Sequence, residues 1–439
     1  MGDVFAALSA EIGKVGTAFV VGKVAEVGRG TLRVTGLESM AGLGDRVRIG
    51  ASMAGEVLGL DPRGMTVLPD GLTDGLGIGT RVRLEGAGMI APDDSWIGRV
   101  VDPYGRPLDG RPLFPGARPR PLRAEAPPAA SRRRLGARLE TGVAAFDTLL
   151  PLVRGQRIGL FAGSGVGKST LLAKFARGVE ADLVVIALIG ERGRELREFT
   201  ETVLGPEGLA RAIVVTATSD QSAVTRRRCA LAAMAVAEHF RDLGQHVLLL
   251  ADSVTRFAEA HREMALSAGE EASLRGYPPS LSPAIMGWAE RAGPGPEGKG
   301  DITAVFSVLV AGSDMEEPVA DILRGVLDGH VVLDRKIAER GRYPAIDLLR
   351  SVSRSLPDAA SEAENRAIAQ TRRLLGAYDR AELMIQAGLY ARGSDPVIDT
   401  AIRAWPGLDA FLAEDAPPGG VAGSFERLES LLAAAQARG

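Results

Sequence analysis

The stretch AGSGVGKS, residues 162–169, contains the residue types that bind the phosphates of a nucleotide. Such binding needs free backbone N–H groups at the start of a helix, a lysine for the outer phosphates and a hydroxyl for Mg²⁺. The glycines permit a tight turn, Lys168 can reach the β- and γ-phosphates, and Ser169 can ligate Mg²⁺. Ala162 stands where the strict pattern has glycine, but that position only has to be small. The predicted nucleotide-binding residues are Gly163, Ser164, Gly165, Val166, Gly167, Lys168, Ser169 and Thr170.

Two carboxylates at the ends of apolar runs could complete a hydrolytic site. Asp252 ends the run HVLLLAD, two strand–helix units after the phosphate loop, and is the predicted acidic residue of the Mg²⁺ site. Glu191 lies just past the run LVVIALI, where active-site residues of open parallel sheets gather, and could position the attacking water. Glu195 and Glu198 alternate with arginines and indicate a charged helix face.

The elements that must position these residues follow a strand–helix alternation from about residue 155. Near-continuous apolar strands, such as RIGLF, LVVIALI, IVVTA and HVLLLAD, are each followed by a helical pattern. This arrangement predicts an α/β fold with a parallel sheet covered on both faces. The first 90 or so residues show short alternating segments with Gly and Asp turns, which predict a small β-barrel or sandwich. After about residue 352 the patterns are helical.

These changes of pattern divide the chain into four parts. They are an N-terminal tail at 1–18 that could form a short amphipathic helix, a β-barrel domain at 19–92, a nucleotide-binding domain at 93–352 and an α-helical domain at 353–439. Eight prolines between Pro103 and Pro128 predict an ordered but irregular connection, because proline fits neither a helix interior nor a central strand. The basic run that follows, residues 132–134, is interpreted as a solvated face.

Composition excludes several classes of protein. No apolar run approaches the roughly 18 residues of a membrane span. The net charge of −3 gives no support to nucleic-acid binding, and the four histidines lack the spacing of metal ligands. The single cysteine, Cys229, excludes a disulfide framework, and its helical surroundings predict a buried structural thiol.

Several longer stretches resemble the flagellar protein-export ATPase, a member of the type III secretion ATPase family that is related to the α and β subunits of rotary ATP synthase. They are GQRIGLFAGSGVGKSTLL, VIALIGERGRELREF, LLLADSVTRFAEAHRE, GYPPS and LDGHVVLDRKIAERGRYPAIDLLRSVSR. The resemblance runs from about residue 20 to the C-terminus. It implies a RecA-like central ATPase domain between the barrel and the helical domain, with ATP as substrate and Mg²⁺ as cofactor.

The resemblance also implies roles for individual residues. Glu191 resembles the glutamate that activates the attacking water, and Tyr343 resembles the tyrosine that stacks on adenine. Arg192 and Arg256 resemble arginines of the phosphate site. Arg354 resembles the arginine finger that enters a neighbouring subunit's site, where a fixed guanidinium would meet charge developing on the γ-phosphate. The implied catalytic residues are therefore Lys168, Glu191, Arg192, Arg256 and Arg354.

By the same resemblance the chain is expected to form a homohexamer. Its expected partners are a stator-like regulatory protein, a stalk-like export protein, membrane proteins of the export gate, and export chaperones and substrates. The resemblance implies that the helix predicted within 1–18 binds the stator-like partner. It is expected in the cytoplasm, at the periphery of the inner-membrane export apparatus. The stretch LSPAIMGWAERAG departs from the family, with Met286 and Trp288 where smaller residues are common, and a repacked core is its simplest interpretation.

Three alternatives have different sequence requirements. An injectisome ATPase has nearly the same motifs and stays open. A non-catalytic nucleotide-binding subunit would carry glutamine at the position of Glu191. A hexameric RNA translocase would need aromatic residues interleaved with basic ones in its N-terminal module, but the first 90 residues contain two Phe and neither Tyr nor Trp. No nucleic-acid partner is therefore expected.

Overall fold

The computed structural model of the chain describes residues 19–28, 30–310 and 315–437. The partner-binding helix predicted within 1–18 lies outside these residues. Among the helices that are described, none combines the length and apolar character needed to span a bilayer.

The first six strands close into an antiparallel barrel in the order β1-β2-β5-β4-β3-β6. Alternate residues of the strands point inward, so that Val24, Val34, Val47, Val67 and Val82 form its fully buried core. This alternation is the one that the sequence predicts. The strands are β1 (Val21–Val27), β2 (Leu32–Thr35), β3 (Arg46–Ile49), β4 (Met53–Asp61), β5 (Gly64–Pro69) and β6 (Arg81–Gly86).

The proline-rich connection is ordered but contains little regular structure, as predicted. Its short strands are β7 (Met89–Ile90), β8 (Arg99–Val101) and β9 (Arg120–Pro121), and 3₁₀ turns lie at Asp94–Trp96 and Ala129–Ser131. The interpretation of residues 132–134 as a solvated face is confirmed for Arg133 and Arg134, which are exposed, and is wrong for Arg132, whose side chain is 15% exposed. Arg132 donates to the carbonyls of Pro127 and Glu290, and Arg133 pairs with the buried Asp301 at 2.6 Å.

The central sheet has the strand order β17-β16-β10-β15-β13-β11-β12-β8, and β14 pairs with β15 beside this path. Strand β17 is antiparallel to β16 and β14 to β15, while the other pairs along the path are parallel. Helices bury both faces of its apolar strands. The sequences of these strands are therefore continuous apolar runs and do not alternate with polar residues. The remaining strands are β10 (Arg157–Ala162), β11 (Leu183–Glu191), β12 (Ala212–Thr218), β13 (His246–Asp252), β14 (Gly293–Pro294), β15 (Asp301–Leu309), β16 (Gly329–Leu333) and β17 (Ile346–Ser353).

The helices that connect and cover these strands begin with α1 (Ala144–Asp147) and α2 (Lys168–Gly178). They continue with α3 (Gly193–Glu198), a π-helical turn (Phe199–Leu204), α4 (Gly205–Ala210), α5 (Ala223–Asp242), α6 (Val254–Ser267), α7 (Leu281–Glu290), α8 (Pro318–Val326) and α9 (Arg335–Glu339). Helix α7 contains the divergent stretch. Its Trp288 is 2% exposed and packs on Phe257 and Phe306, with ring centroids 4.9 and 5.2 Å away, which supports the repacked core. Cys229 on α5 is buried, as predicted.

Three long helices form the C-terminal part of the structure: α10 (Glu362–Gln386), α11 (Pro396–Phe411) and α12 (Gly420–Gln436). Ser361 and Glu364 form a capping box that fixes the start of α10, since each side chain accepts from the other residue's backbone N–H. The last strand of the sheet ends at Ser353, close to the predicted limit of the helical domain. The domain limits themselves stay a prediction.

Candidate active site

The phosphate loop connects the C-terminal end of β10 to the first turn of α2. Gly165 and Gly167 have φ values of 75° and 87°, in the left-handed region that favours glycine. Gly167 is the N-cap of α2, and no side chain accepts a hydrogen bond from the first amides of this helix. A phosphate could therefore take these amides as donors, aided by the positive end of the helix dipole.

The loop borders an open cleft of about 1020 Å³. The cleft lies at the C-terminal ends of β10, β11, β13 and β15, which is the edge where ligands bind in open parallel sheets. Of the predicted loop residues, Val166 is buried beneath the loop and the others lie along the cleft. The predicted residues that line it are Gly163, Ser164, Gly165, Gly167, Lys168, Ser169, Thr170, Glu191, Arg192, Asp252, Arg256 and Tyr343.

Lys168 and Asp252 form an ion pair at the bottom of the cleft through Nζ and Oδ1. The same Asp252 oxygen accepts a hydrogen bond from Ser307 Oγ at 2.7 Å. Ser307 is fully buried on β15, the strand next to β13, so its hydroxyl fixes the carboxylate from the side. Sequence reasoning missed Ser307, because a serine inside an apolar strand carries no motif.

Glu191 lies at the end of β11, and two strands, β15 and β13, lie between β11 and the strand that leads into the phosphate loop. The pairing of β11 with β12 shifts register between Ile189 and Glu191, and Gly190 within this bulge has φ 68°. Such a bulge redirects the following side chain, here into the cleft. Burial, and next the nearby Asp252 carboxylate, raise the pKa of Glu191 to about 7, although Lys168 opposes the shift. A carboxylate poised near neutral pH suits a group that takes a proton from water.

The raised pKa predicts a pH dependence of ATP hydrolysis. A general base works only when deprotonated, so kcat/KM should be level above about pH 7 and fall about tenfold per pH unit below it. The measurement is a profile of kcat/KM between pH 5.5 and 9. In Glu195→Gln the inflection should move to lower pH, because Glu195 contributes to raising the pKa of Glu191. A flat profile between pH 6 and 8 would contradict this role for Glu191.

The two predicted site arginines occupy different positions in the cleft. Arg256, in the first turn of α6, donates a hydrogen bond to Glu259 at 2.9 Å. This hydrogen bond and the negative charge of the nearby Glu191 raise the pKa of Arg256. The Arg192 side chain is 78% exposed and donates to Glu195 at 3.2 Å. Arg256 is thus held close to Glu191, whereas Arg192 lies at the rim.

Tyr343 lies in the loop between α9 and β17, next to Gly167 of the phosphate loop. Its ring is 51% exposed, and a Cβ atom added to Gly167 would lie 3.2 Å from its Cδ1. The ring therefore stands directly over the phosphate loop. It presents an open aromatic face at one end of the cleft, where the base of a nucleotide could stack.

Arg354 is not among the residues that line the cleft. It follows β17 directly, and its backbone N–H donates to Asp328 O at 3.0 Å. The Asp328 carboxylate accepts a hydrogen bond from the backbone N–H of Arg157, the first residue of β10, so Arg354 lies near the start of that strand. The phosphate loop lies at the other end of β10, about 20 Å away for six residues at ~3.3 Å each. This distance exceeds the length of an arginine side chain. Arg354 is exposed and donates to Arg324 O at 3.1 Å.

Comparisons with known proteins agree with this arrangement. The nucleotide-binding domain of the ATP synthase alpha/beta family matches residues 142–353, and the C-terminal domain of the type III secretion ATPase EscN matches residues 360–417. The flagellum-specific ATP synthase of Caulobacter vibrioides is 44% identical over 420 residues, which cover 93% of this chain and 94% of that protein. That of Salmonella typhimurium is 44% identical over 379 residues, covering 85% and 78%.

Type III secretion ATPases are similar to nearly the same degree. That of Sinorhizobium fredii is 45% identical over 373 residues, covering 84% of this chain and 81% of that protein. The solved structure of the assembled ATPase EscN from enteropathogenic E. coli superposes with a TM-score of 0.85 at 36% identity. The match covers 94% of this chain and all of that one.

Proposed function

The chain belongs to the family of flagellum-specific and type III secretion ATPases, and we propose that it hydrolyses ATP to energise protein export through a flagellar type III apparatus. The observation that carries the flagellar assignment is the similarity to the flagellum-specific ATP synthase of Caulobacter vibrioides, which is 44% identical over 93% of this chain and 94% of that protein. An injectisome ATPase is the second candidate, because its identity is as high.

Each residue of the cleft has its own role in the proposed hydrolysis. The amides of the phosphate loop and Lys168 hold the β- and γ-phosphates, while Tyr343 stacks on the adenine. Glu191 accepts a proton from the attacking water, whose oxygen bonds to the γ-phosphorus. The bond from that phosphorus to the β–γ bridging oxygen breaks, and ADP leaves with this oxygen. Arg256, held near Glu191, adds positive charge where the phosphoryl group becomes more negative.

The donors in the cleft fit Mg²⁺ carried in by the nucleotide. Within the described part of the chain no group of three or more His, Cys, Asp or Glu could hold a metal alone. Mg²⁺ is usually bound through one or two protein oxygens together with phosphates and water, and Ser169 and Asp252 are oxygen donors of that kind. When bound, the ion neutralises charge on the β- and γ-phosphates.

The catalytic reading is preferred over a non-catalytic nucleotide-binding subunit because the residue at 191 is a glutamate with a raised pKa. A glutamine at this position could bind the water but could not take its proton.

We further propose that the active form is a homohexameric ring in which Arg354 completes the site of the next subunit. The position of Arg354, at the sheet edge opposite its own phosphate loop, supports this role. The E. coli relative was solved as an assembled ATPase and with its central stalk EscO. The proposed partners of this chain are a stalk-like protein, a stator-like regulator, export chaperones and substrates, and the membrane export gate. The proposed location is the cytoplasmic face of the inner membrane.

The proposed function is tested in the organism that carries the gene. Replacing the chromosomal copy with a Glu191→Gln allele should abolish secretion of filament protein and swimming motility, and a wild-type copy should restore both. A Glu195→Gln allele serves as the control and should retain motility. Loss of injectisome secretion with intact flagella would instead assign the chain to the second candidate.

A further inference from the structure

Arg342, the residue before Tyr343, holds the turn that carries the aromatic ring. Its side chain is only 8% exposed. Nη2 donates to the carbonyl of Ile346 at 2.8 Å, and Nη1 lies 3.5 Å from the carbonyl of Pro344. One buried guanidinium therefore spans the backbone on the C-terminal side of Tyr343.

The charge of this guanidinium is balanced from the helical domain. Asp409, near the end of α11, has its Oδ1 2.9 Å from Arg342 Nε. Burial lowers the pKa of Arg342, and the Asp409 carboxylate acts against this shift more than any other charge. Asp347 also acts against it, but the Asp347 carboxylate accepts hydrogen bonds from the backbone N–H groups of Leu349 and Arg350. A buried cation that loses its partner is strongly destabilised where it stands.

A second contact of the same loop is weaker. Arg340 pairs with Glu382 of α10 at 2.9 Å, but its side chain is 47% exposed. Ion pairs exposed to this degree contribute little, because solvent screens them. The pair of the buried Arg342 with the partly exposed Asp409 is therefore the main electrostatic link between the helical domain and the loop that carries Tyr343.

Because the Tyr343 ring is half-exposed, its place over the phosphate loop depends on the backbone turn. We propose that Asp409 is a positioning residue for the adenine site, acting through Arg342 to hold Tyr343 at the stacking distance. This inference rests on the proposed role of Tyr343. It makes adenine affinity depend on the helical domain, while the phosphate loop keeps its own geometry.

The test separates an effect on adenine binding from an effect on phosphate binding by comparing the affinities for ATP and for inorganic tripolyphosphate. Asp409→Asn should raise KM for ATP about three- to tenfold, a part of the loss expected when base–aromatic stacking is removed. It should change kcat less than about twofold and leave the inhibition constant of tripolyphosphate unchanged, because tripolyphosphate reaches only the phosphate loop. Asp409→Glu keeps the carboxylate and should behave almost as wild type.

Asp415→Asn is the matched control. Asp415 also joins the C-terminal part of the chain to the nucleotide-binding domain, but it is 71% exposed, and its partners Lys174 and Val143 lie outside the Tyr343 loop. This variant should leave KM for ATP unchanged. Arg342→Gln, which removes the buried charge itself, should show the same selective rise in KM and serves if Asp409→Asn folds poorly.

Tyr343→Ala distinguishes this inference from the proposed function. If Tyr343→Ala leaves ATP affinity unchanged, the adenine role of Tyr343 fails. If Tyr343→Ala weakens ATP binding and neither Asp409→Asn nor Arg342→Gln does, the positioning role of Asp409 is overturned. It is also overturned if Asp409→Asn weakens tripolyphosphate as much as ATP. The double variant Tyr343→Ala/Asp409→Asn should bind ATP no more weakly than Tyr343→Ala alone, because both act through one ring.

Discussion

Replacing Glu191 with glutamine is expected to lower the rate of ATP hydrolysis by about 10²-fold or more, while MgATP affinity stays near the wild-type value. The amide keeps the size of the side chain and can still hydrogen-bond the water. It is a poor acceptor for a proton, so binding survives and chemistry does not. Steady-state hydrolysis and equilibrium nucleotide binding, measured on the same preparation, separate the two effects.

Glu195→Gln is the control for this experiment. Glu195 lies one helical turn further on, lines the same cleft and is 50% exposed, paired with Arg192. Its replacement should change the rate at pH 8 only a few-fold. If Glu191→Gln hydrolyses ATP normally and Glu195→Gln does not, Glu195 is the residue that positions the water.

The parts of the site that were predictable from sequence are those in which local pattern and chemistry coincide. The phosphate loop must follow a strand and begin a helix, so AGSGVGKS after RIGLF predicted its place, which the structure confirms, while its role in binding phosphate stays a prediction. Asp252 and Glu191 were predictable because buried parallel strands are continuous apolar runs, and a carboxylate at the end of such a run stands out. The roles of Tyr343 and Arg354 came only from the family resemblance.

The parts that sequence reasoning missed are contacts between distant segments. Ser307 fixes Asp252 only because β15 lies beside β13 in the sheet. Arg132 appeared to belong to a solvated basic run, but it donates to the backbone carbonyls of Pro127 and Glu290. The exposed Arg133 pairs with the buried Asp301. The pairing of Arg342 with Asp409 likewise depends on how α11 packs, which no local pattern records.

Arg354→Ala is expected to bind nucleotide through its own Lys168 and Ser169 and yet hydrolyse it poorly at any protein concentration. Removing an arginine that stabilises the transferred phosphoryl group costs about 10³-fold or more in related nucleotide hydrolases. For the wild type, specific activity should rise with protein concentration in parallel with oligomer formation, because an isolated subunit has an incomplete site. Arg350 is an exposed arginine of β17, the strand that precedes Arg354, and Arg350→Ala is the control, which should hydrolyse ATP at close to the wild-type rate.

Mixing two inactive variants decides whether Arg354 acts across a subunit boundary. Arg354→Ala subunits keep Glu191, and Glu191→Gln subunits keep Arg354, so a mixed ring contains some interfaces in which both are present. Random assembly of equal amounts in a head-to-tail ring makes about one interface in four complete, and roughly that fraction of wild-type activity should return if the sites act independently. An arginine acting within its own chain predicts no recovery, since every chain carries one defect. Mixed rings that form, as shown by their mass, but stay inactive would therefore overturn the trans-acting role. Arg354 could then act on hydrolysis only within its own subunit, which would require a rearrangement that closes its distance from the phosphate loop.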